Sequence, residues 1–216
     1  MADPTTRLYL VSPLITEPDS FAPKLAEACG DGAIAAVLLR LAPADERTLI
    51  NHVKALAPAA QDNGTAVIVT CEADIDLAAI AARGGADGIH TSHGAAAAQV
   101  LRERLKGERI LGAGNVRSRH DAMELGEAGV DYVMFGEPRA DGSLPALESV
   151  VERAAWWAEI FETPCVADAP DLAAVAPLAR TGAEFIALGD AIWAHEEGPG
   201  AAVAAALQRC AADAAA

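Results

Sequence analysis

Several side chains in this 216-residue sequence are of types that move protons, hold anions or ligate metals. Arg40 ends an otherwise apolar run, where a guanidinium needs an anionic partner: either a ligand, or an internal ion pair with Glu72 or Asp190. Glu137 and Asp168 each follow closely on an apolar run, a placement suited to a general acid or base unless Arg139 and Arg40 respectively neutralise them. His90 and His93 have an H-x-x-H spacing that suits zinc, but no third ligand accompanies them; a structural or solvated pair is the competing reading, and no metal site is expected. Cys71 is either a nucleophile beside one of those histidines or a buried inert thiol, and no activating pattern surrounds it. Asn115 and Arg117 share a polar stretch that can bind an anion or simply form a turn. Gly136, Arg139, Gly189 and Asp190 complete the set of candidate ligand-binding residues.

What these residues share is position, because each lies at or just beyond the end of a strand-like run. Such runs fall at 8–11, 34–39, 66–70, 88–91, 110–113, 132–136, 165–167 and 185–189, and most are apolar on both alternations, as in a parallel sheet covered on both faces. Helical patterns fill the gaps, among them 46–60, 74–83, 120–128 and 147–161. Eight β-α units in this length predict a single (β/α)8 TIM-type barrel over residues 1–216 rather than an open doubly wound sheet. A partial repeat agrees: Gly85-Ala86-Asp87-Gly88-Ile89, Gly129-Val130-Asp131-Tyr132-Val133 and Gly182-Ala183-Glu184-Phe185-Ile186 precede the fourth, sixth and eighth runs, with Gly32-Ala33-Ile34 a weaker copy before the second. In such barrels the working residues come from the C-terminal ends of strands, where the candidates above lie. Of the adjacent Trp156 and Trp157, at most one packs inward; 201–216 read as a last helix that frays.

Composition narrows the partners. Hydrophobic residues make up 52%, driven by alanine, while aromatics are only 4%, which suits small-faced helices packed on a sheet and allows a homodimer. With 31 acids against 16 Lys plus Arg the net charge is −15, a field that repels nucleic acid and anionic membranes. Four scattered cysteines without a C-x-x-C pair indicate a reduced, cytoplasmic protein. Residues 1–12 lack the basic start and apolar core of a signal peptide, and no apolar run approaches the roughly 20 residues of a spanning helix.

Four stretches carry a family likeness: Leu8-Tyr9-Leu10-Val11; Gly85 to His90; Ile110-Leu111-Gly112 with Gly129 to Gly136; and Gly182 to Ile192. In their order and spacing the chain resembles the thiamine phosphate synthase and thiazole tautomerase family. The resemblance implies a (β/α)8 barrel that joins a pyrimidine methyl pyrophosphate to a thiazole phosphate, with Mg²⁺ and cations stabilising the departing pyrophosphate. Carried over position by position, it keeps little of that equipment. The family's Gln-x-Arg-x-Lys falls on Leu38-Leu39-Arg40-Leu41-Ala42, where only the arginine survives. Its Asn-Asp falls near Thr70-Cys71, with Glu72 a stand-in if the loop shifts, and its Gly-Gln-x-Asp falls on Ser92-His93-Gly94-Ala95, which offers no carboxylate to a hard cation. In the Thr-Lys loop after the sixth strand, Arg139 is the nearest cation. The Gly-Gly phosphate turn becomes Asp168-Ala169-Pro170-Asp171, and the serine after the eighth strand becomes Asp190, which can cap the helix it begins. The tautomerase histidine falls on Val116.

The expectation is a diverged family member whose pyrophosphate and metal sites are lost. It binds a small molecule and uses no cofactor, Mg²⁺ entering only if the synthase reaction is retained. Two other readings stand beside it: a different reaction in the same mouth, on a neutral or cationic small molecule through Glu137, Asp168 or His93, and a non-catalytic binding or scaffold protein with a filled mouth.

Overall fold

In a computed structural model that describes residues 6–213 except 31 and 140, the apolar runs pair side by side in chain order. The strands are β1 (Arg7–Ile15), β2 (Ile34–Leu41), β3 (Ala66–Cys71), β4 (Gly88–Thr91), β5 (Ile110–Ala113), β6 (Tyr132–Phe135), β7 (Cys165–Ala169) and β8 (Phe185–Leu188). All pair in parallel, and β8 pairs with β1 to close the barrel. The outer ring comprises α1 (Pro18–Cys29), α2 (Glu46–Gln61), α3 (Leu77–Gly84), α4 (Gly94–Leu105), α5 (Arg119–Glu127), α6 (Leu147–Ile160), α7 (Val175–Ala179, after a 3-10 turn at Leu172–Ala174), α8 (Asp190–Trp193) and α9 (Pro199–Asp213). The predicted (β/α)8 architecture is therefore the observed one.

The departures in boundary have local causes. β1 and β2 run beyond their expected ends, with a register shift between Val11 and Leu14. Within that irregularity the Ser12 hydroxyl oxygen accepts the Arg40 N–H at 2.9 Å, supplying the acceptor that a regular ladder would have given. α3 begins later than 74 because Asp76 caps it, accepting from the Ala79 N–H at 3.0 Å. Residues 214–216, and with them the frayed end expected there, lie outside the described residues, as do residues 1–5 of the first segment.

The glycine–acid repeat has a structural meaning. Gly85, Gly129 and Gly182 take φ of 87°, 79° and 84°, which a side chain would disfavour, and turn the chain out of the preceding helix. The acid two residues later reaches across to the neighbouring strand. Asp87 accepts the Val67 N–H at 2.7 Å, Asp131 the Leu111 N–H at 2.7 Å, and Glu184 the Cys165 N–H at 2.9 Å. Each carboxylate thus pins the start of one strand, at the barrel end opposite the candidate residues. Asp87→Ala should cost about 1–3 kcal/mol by orphaning the Val67 N–H, read as a lower urea midpoint at unchanged m-value, with Asp87→Asn recovering part of the loss.

The main core lies between sheet and helices, and a second, smaller cluster fills the barrel around Tyr9, Leu38, Ile68, Tyr132, Met134 and Val166. Of the paired tryptophans Trp157 is buried, donating its indole N–H to the Thr163 carbonyl at 2.7 Å, while Trp156 is partly exposed beneath the Arg119 guanidinium. All four cysteines are buried, and burial pushes the Cys71 thiol up and that of Cys165 to about 12, which favours the inert reading of Cys71. Among the described residues no helix is long and apolar enough to cross a membrane.

Candidate functional site in the barrel mouth

Side chains on a strand alternate between the barrel interior and the helices, so residues two apart share the interior. Leu38 and Arg40 on β2, His90 on β4, Met134 on β6 and Asp168 on β7 belong to the inward set and converge on a cavity of about 700 Å³ at the C-terminal ends of the strands. His93, Asn115, Arg117, Glu137, Arg139 and Gly189 line the same cavity from the loops, and Asp190 from the start of α8. Gly136 instead lines a smaller adjoining pocket.

Glu137 is the most constrained of these groups. One carboxylate oxygen lies 3.2 Å from His90 Nε2, and the other accepts a short hydrogen bond from the Asn115 N–H. Glycine makes room for this arrangement: a Cβ on Gly114 would lie 1.7 Å from Glu137 Oε2, and one on Gly112 would lie 1.9 Å from Tyr132 Cζ. Behind Glu137 the chain of contacts continues inward, from His90 Nδ1 to the Tyr132 hydroxyl at 3.0 Å and from there to the Tyr9 hydroxyl at 2.7 Å.

One arrangement of protons satisfies every link. Tyr9 donates to Tyr132, Tyr132 donates to His90 Nδ1, and His90 carries its proton on Nε2, donating it to Glu137. A ring protonated at both nitrogens would turn the Tyr132 hydroxyl toward Tyr9 and leave the buried Tyr9 hydrogen without an acceptor. Burial raises both tyrosines above their usual range, so both stay protonated as donors.

The two central carboxyls are driven apart. Burial opposes the charge on Glu137, but the His90 Nε2–H beside it, the Asn115 N–H and the field of Arg117 outweigh it and hold the group below its ordinary range. Asp168 is pushed up to about 7 by burial and by the Glu137 charge, with Arg40 opposing only in part. One mouth therefore holds an ionised carboxylate and a carboxyl that titrates near neutrality.

Several expected pairings are corrected. Arg40 forms no ion pair with Glu72 or Asp190 within 4.0 Å; its backbone is tied to Ser12, while its guanidinium acts on Asp168 through its field alone. Glu137 pairs with His90 rather than Arg139, whose guanidinium is engaged by the Ser143 hydroxyl and Leu144 carbonyl, each at 3.1 Å. His90 points into the barrel, held by Tyr132 and Glu137, while His93 stands at the start of α4, and both line the mouth cavity. Asp190 opens α8 but makes no capping bond, Gly189 occupying the cap; Asp171 is the acid that caps, accepting from the Ala174 N–H at 3.0 Å. Asn115 holds φ 58° and donates its side-chain N–H to the Ser92 carbonyl at 3.1 Å. Two participants that strand-end position alone does not single out are Tyr9 and Tyr132. The available signal was that both of the chain's two tyrosines fall on apolar strands, where a hydroxyl must find a partner.

Mg²⁺ takes oxygen ligands, usually one or two carboxylates completed by water and substrate phosphates. Both oxygens of Glu137 are engaged and Asp168 keeps a proton near neutrality, while Thr70-Cys71 and Ser92 to Ala95 present no carboxylate. Among the described residues no group of three or more His, Cys, Asp or Glu is placed to hold a metal ion. Glu72 and Asp190 also line the cavity, and theirs are the carboxylates left there to meet a hard cation.

Residues 8–192 match the family model described as thiamine monophosphate synthase. The chain belongs to the thiamine phosphate synthase family. It is 38% identical over 200 residues to a thiamine-phosphate synthase of Rhodospirillum centenum, covering 92% of this chain and 94% of that protein. A thiamine-phosphate synthase of Hyphomonas neptunium is 35% identical over 212 residues, covering 94% and 92%. Among solved structures, thiamine phosphate pyrophosphorylase from Pyrococcus furiosus superposes with a TM-score of 0.75 at 21% identity over 99% of each chain. A 3-hexulose-6-phosphate synthase from Salmonella typhimurium gives 0.73 at 12% identity over 95% and 99%; at these identities both show shared fold alone. In this thiamine phosphate synthase family barrel, the stretch from Gly85 to His90 combines a strand pin with the inward histidine, and Ile110 to Gly112 provides the space that Tyr132 fills.

Proposed function

We propose that this is a diverged member of the thiamine phosphate synthase family whose mouth transfers protons on a small molecule, with the metal and pyrophosphate sites lost. The observation that carries the reading is the pairing of an ionised Glu137 with an Asp168 that titrates near 7 across one cavity. Opposed carboxyls of this kind divide the roles of base and acid. Glu137, fixed by His90 and the Asn115 N–H, accepts a proton from the ligand, Asp168 donates one to a second atom, and Arg40 stabilises negative charge developing beside Asp168. The end of the ligand that meets Asp168 and Asp190 is neutral or cationic, since a dianion there would face two acids.

The synthase reaction itself is the second reading, favoured by the names of relatives at 38% and 35% identity. The deciding assay supplies hydroxymethylpyrimidine pyrophosphate, thiazole phosphate and Mg²⁺ at high protein concentration, with a competent relative alongside. No thiamine phosphate above the blank is expected; turnover at the relative's rate would overturn the proposal, with Glu72 the first residue to test as a metal ligand. Independently, ¹³C carboxyl spectra should show Asp168 titrating near pH 7 and Glu137 below its ordinary range. An Asp168 that titrates as an ordinary carboxylate would remove the acid from the scheme.

A further inference from the structure

A second pocket of about 240 Å³ adjoins the mouth and shares Asn115, Arg117, Glu137 and Arg139 with it. Its walls bring together three arginines, Arg117, Arg139 and Arg153, against one carboxylate, Glu137, in a chain whose net charge is −15. The arginines arrive from three places: the loop after β5, the loop after β6, and α6. Two are held in place by the fold. Arg153, half-buried, donates to the Val116 carbonyl at 3.1 Å and the Ser149 hydroxyl at 2.9 Å; Arg139 is tied to Ser143 and Leu144. Each keeps further N–H donors in reserve. The Arg117 guanidinium has neither ion pair nor hydrogen bond among the described residues, although its field reaches Glu137. Convergent guanidinium groups fixed around a concavity form a preorganised oxyanion site.

We propose that this pocket anchors the carboxylate end of the small molecule whose other end reaches Glu137 and Asp168, an inference that rests on the proton-transfer reading of the mouth. The volume suits a carboxylate and a short stem, being about eight water volumes of ~30 Å³. A planar carboxylate matches the fork of a guanidinium. It also carries less charge than a phosphate dianion toward the Glu137 carboxylate in the same wall.

The test titrates the full-length chain with pyruvate, and separately with inorganic phosphate, at constant ionic strength while following the arginine Nε–H resonances. Pyruvate is expected to move Arg117, Arg139 and Arg153 saturably and to bind more tightly than phosphate. Arg117→Gln removes no hydrogen bond of the fold and should weaken pyruvate by about tenfold or more at unchanged melting temperature. Asp168→Asn, which removes the acid of the proton pair and leaves the arginines in place, should still bind pyruvate. Failure of the proton-transfer reading is thereby separated from failure of the anchor. Equal, unsaturable shifts with both anions would be ionic screening and would overturn the site. Tighter phosphate would overturn the carboxylate assignment, and unchanged affinity in Arg117→Gln would overturn the location.

Discussion

Replacing Asp168 with asparagine is expected to stabilise the barrel at pH 8 by about 2–4 kcal/mol and to leave it nearly unchanged at pH 4. In the folded chain Asp168 titrates near 7, whereas in the unfolded chain it returns to the ordinary aspartate value of 3.8. Between those values the folded state holds a proton that the unfolded state has released, so stability falls as pH rises through that window, and above it the full penalty of a buried charge applies. Asparagine has the shape of the protonated acid and never ionises. Glu137 works in the other direction: its folded-state value is depressed, so its contribution is present at neutral pH and is lost only as pH falls through the acid range. Urea unfolding of both proteins at pH 4 and pH 8 separates the two. A parent chain of flat stability across that window, or an asparagine variant weaker at pH 8, would mean that Arg40 neutralises Asp168 fully.

The second large effect is expected at Gly112. A methyl group there would lie 1.9 Å from Tyr132 Cζ and 2.2 Å from its hydroxyl oxygen, inside a filled barrel where the ring has no free volume to enter. Gly112→Ala should therefore cost about 3–5 kcal/mol, at the upper end for single substitutions, and should displace the hydroxyl that fixes the His90 tautomer. The clash belongs to one pair, so in a Tyr132→Ala background the same change should cost far less. A double-mutant cycle by denaturant unfolding measures this coupling. Additive effects would show that the strand moves aside instead.

How much of this was legible follows from what kind of information a linear sequence holds. The eight strands were visible because short apolar runs bounded by glycine and acids recur, and a closed parallel barrel satisfies eight such units. The mouth residues were visible because barrel chemistry gathers at C-terminal strand ends, and Arg40, His90, Glu137 and Asp168 do share one cavity. Partners within the mouth were not. Glu137 lies two residues from Arg139 in sequence but meets His90, 47 positions away, because Gly112 in β5 and Gly114 just after it leave the space between them open. That choice depends on which strand residues face inward and how large they are, and fixing the inward phase requires the register across three strands. Asp190 was expected to cap a helix because of its type; its side chain makes no such bond, and Gly189 takes the cap position.

The acids that pin strand starts sit at one end of the barrel, and the carboxyls and guanidiniums of the mouth sit at the other. Substitutions at the two ends share few contacts, so their energetic effects should combine nearly independently. A lineage carrying this scaffold can exchange its loops, trade one reactive group for another, and wander between chemistries without risking the frame that folds it. For the protein engineer the same separation makes the loops after β2, β6 and β7 the place to graft new specificity, with Asp87, Asp131 and Glu184 kept as they are.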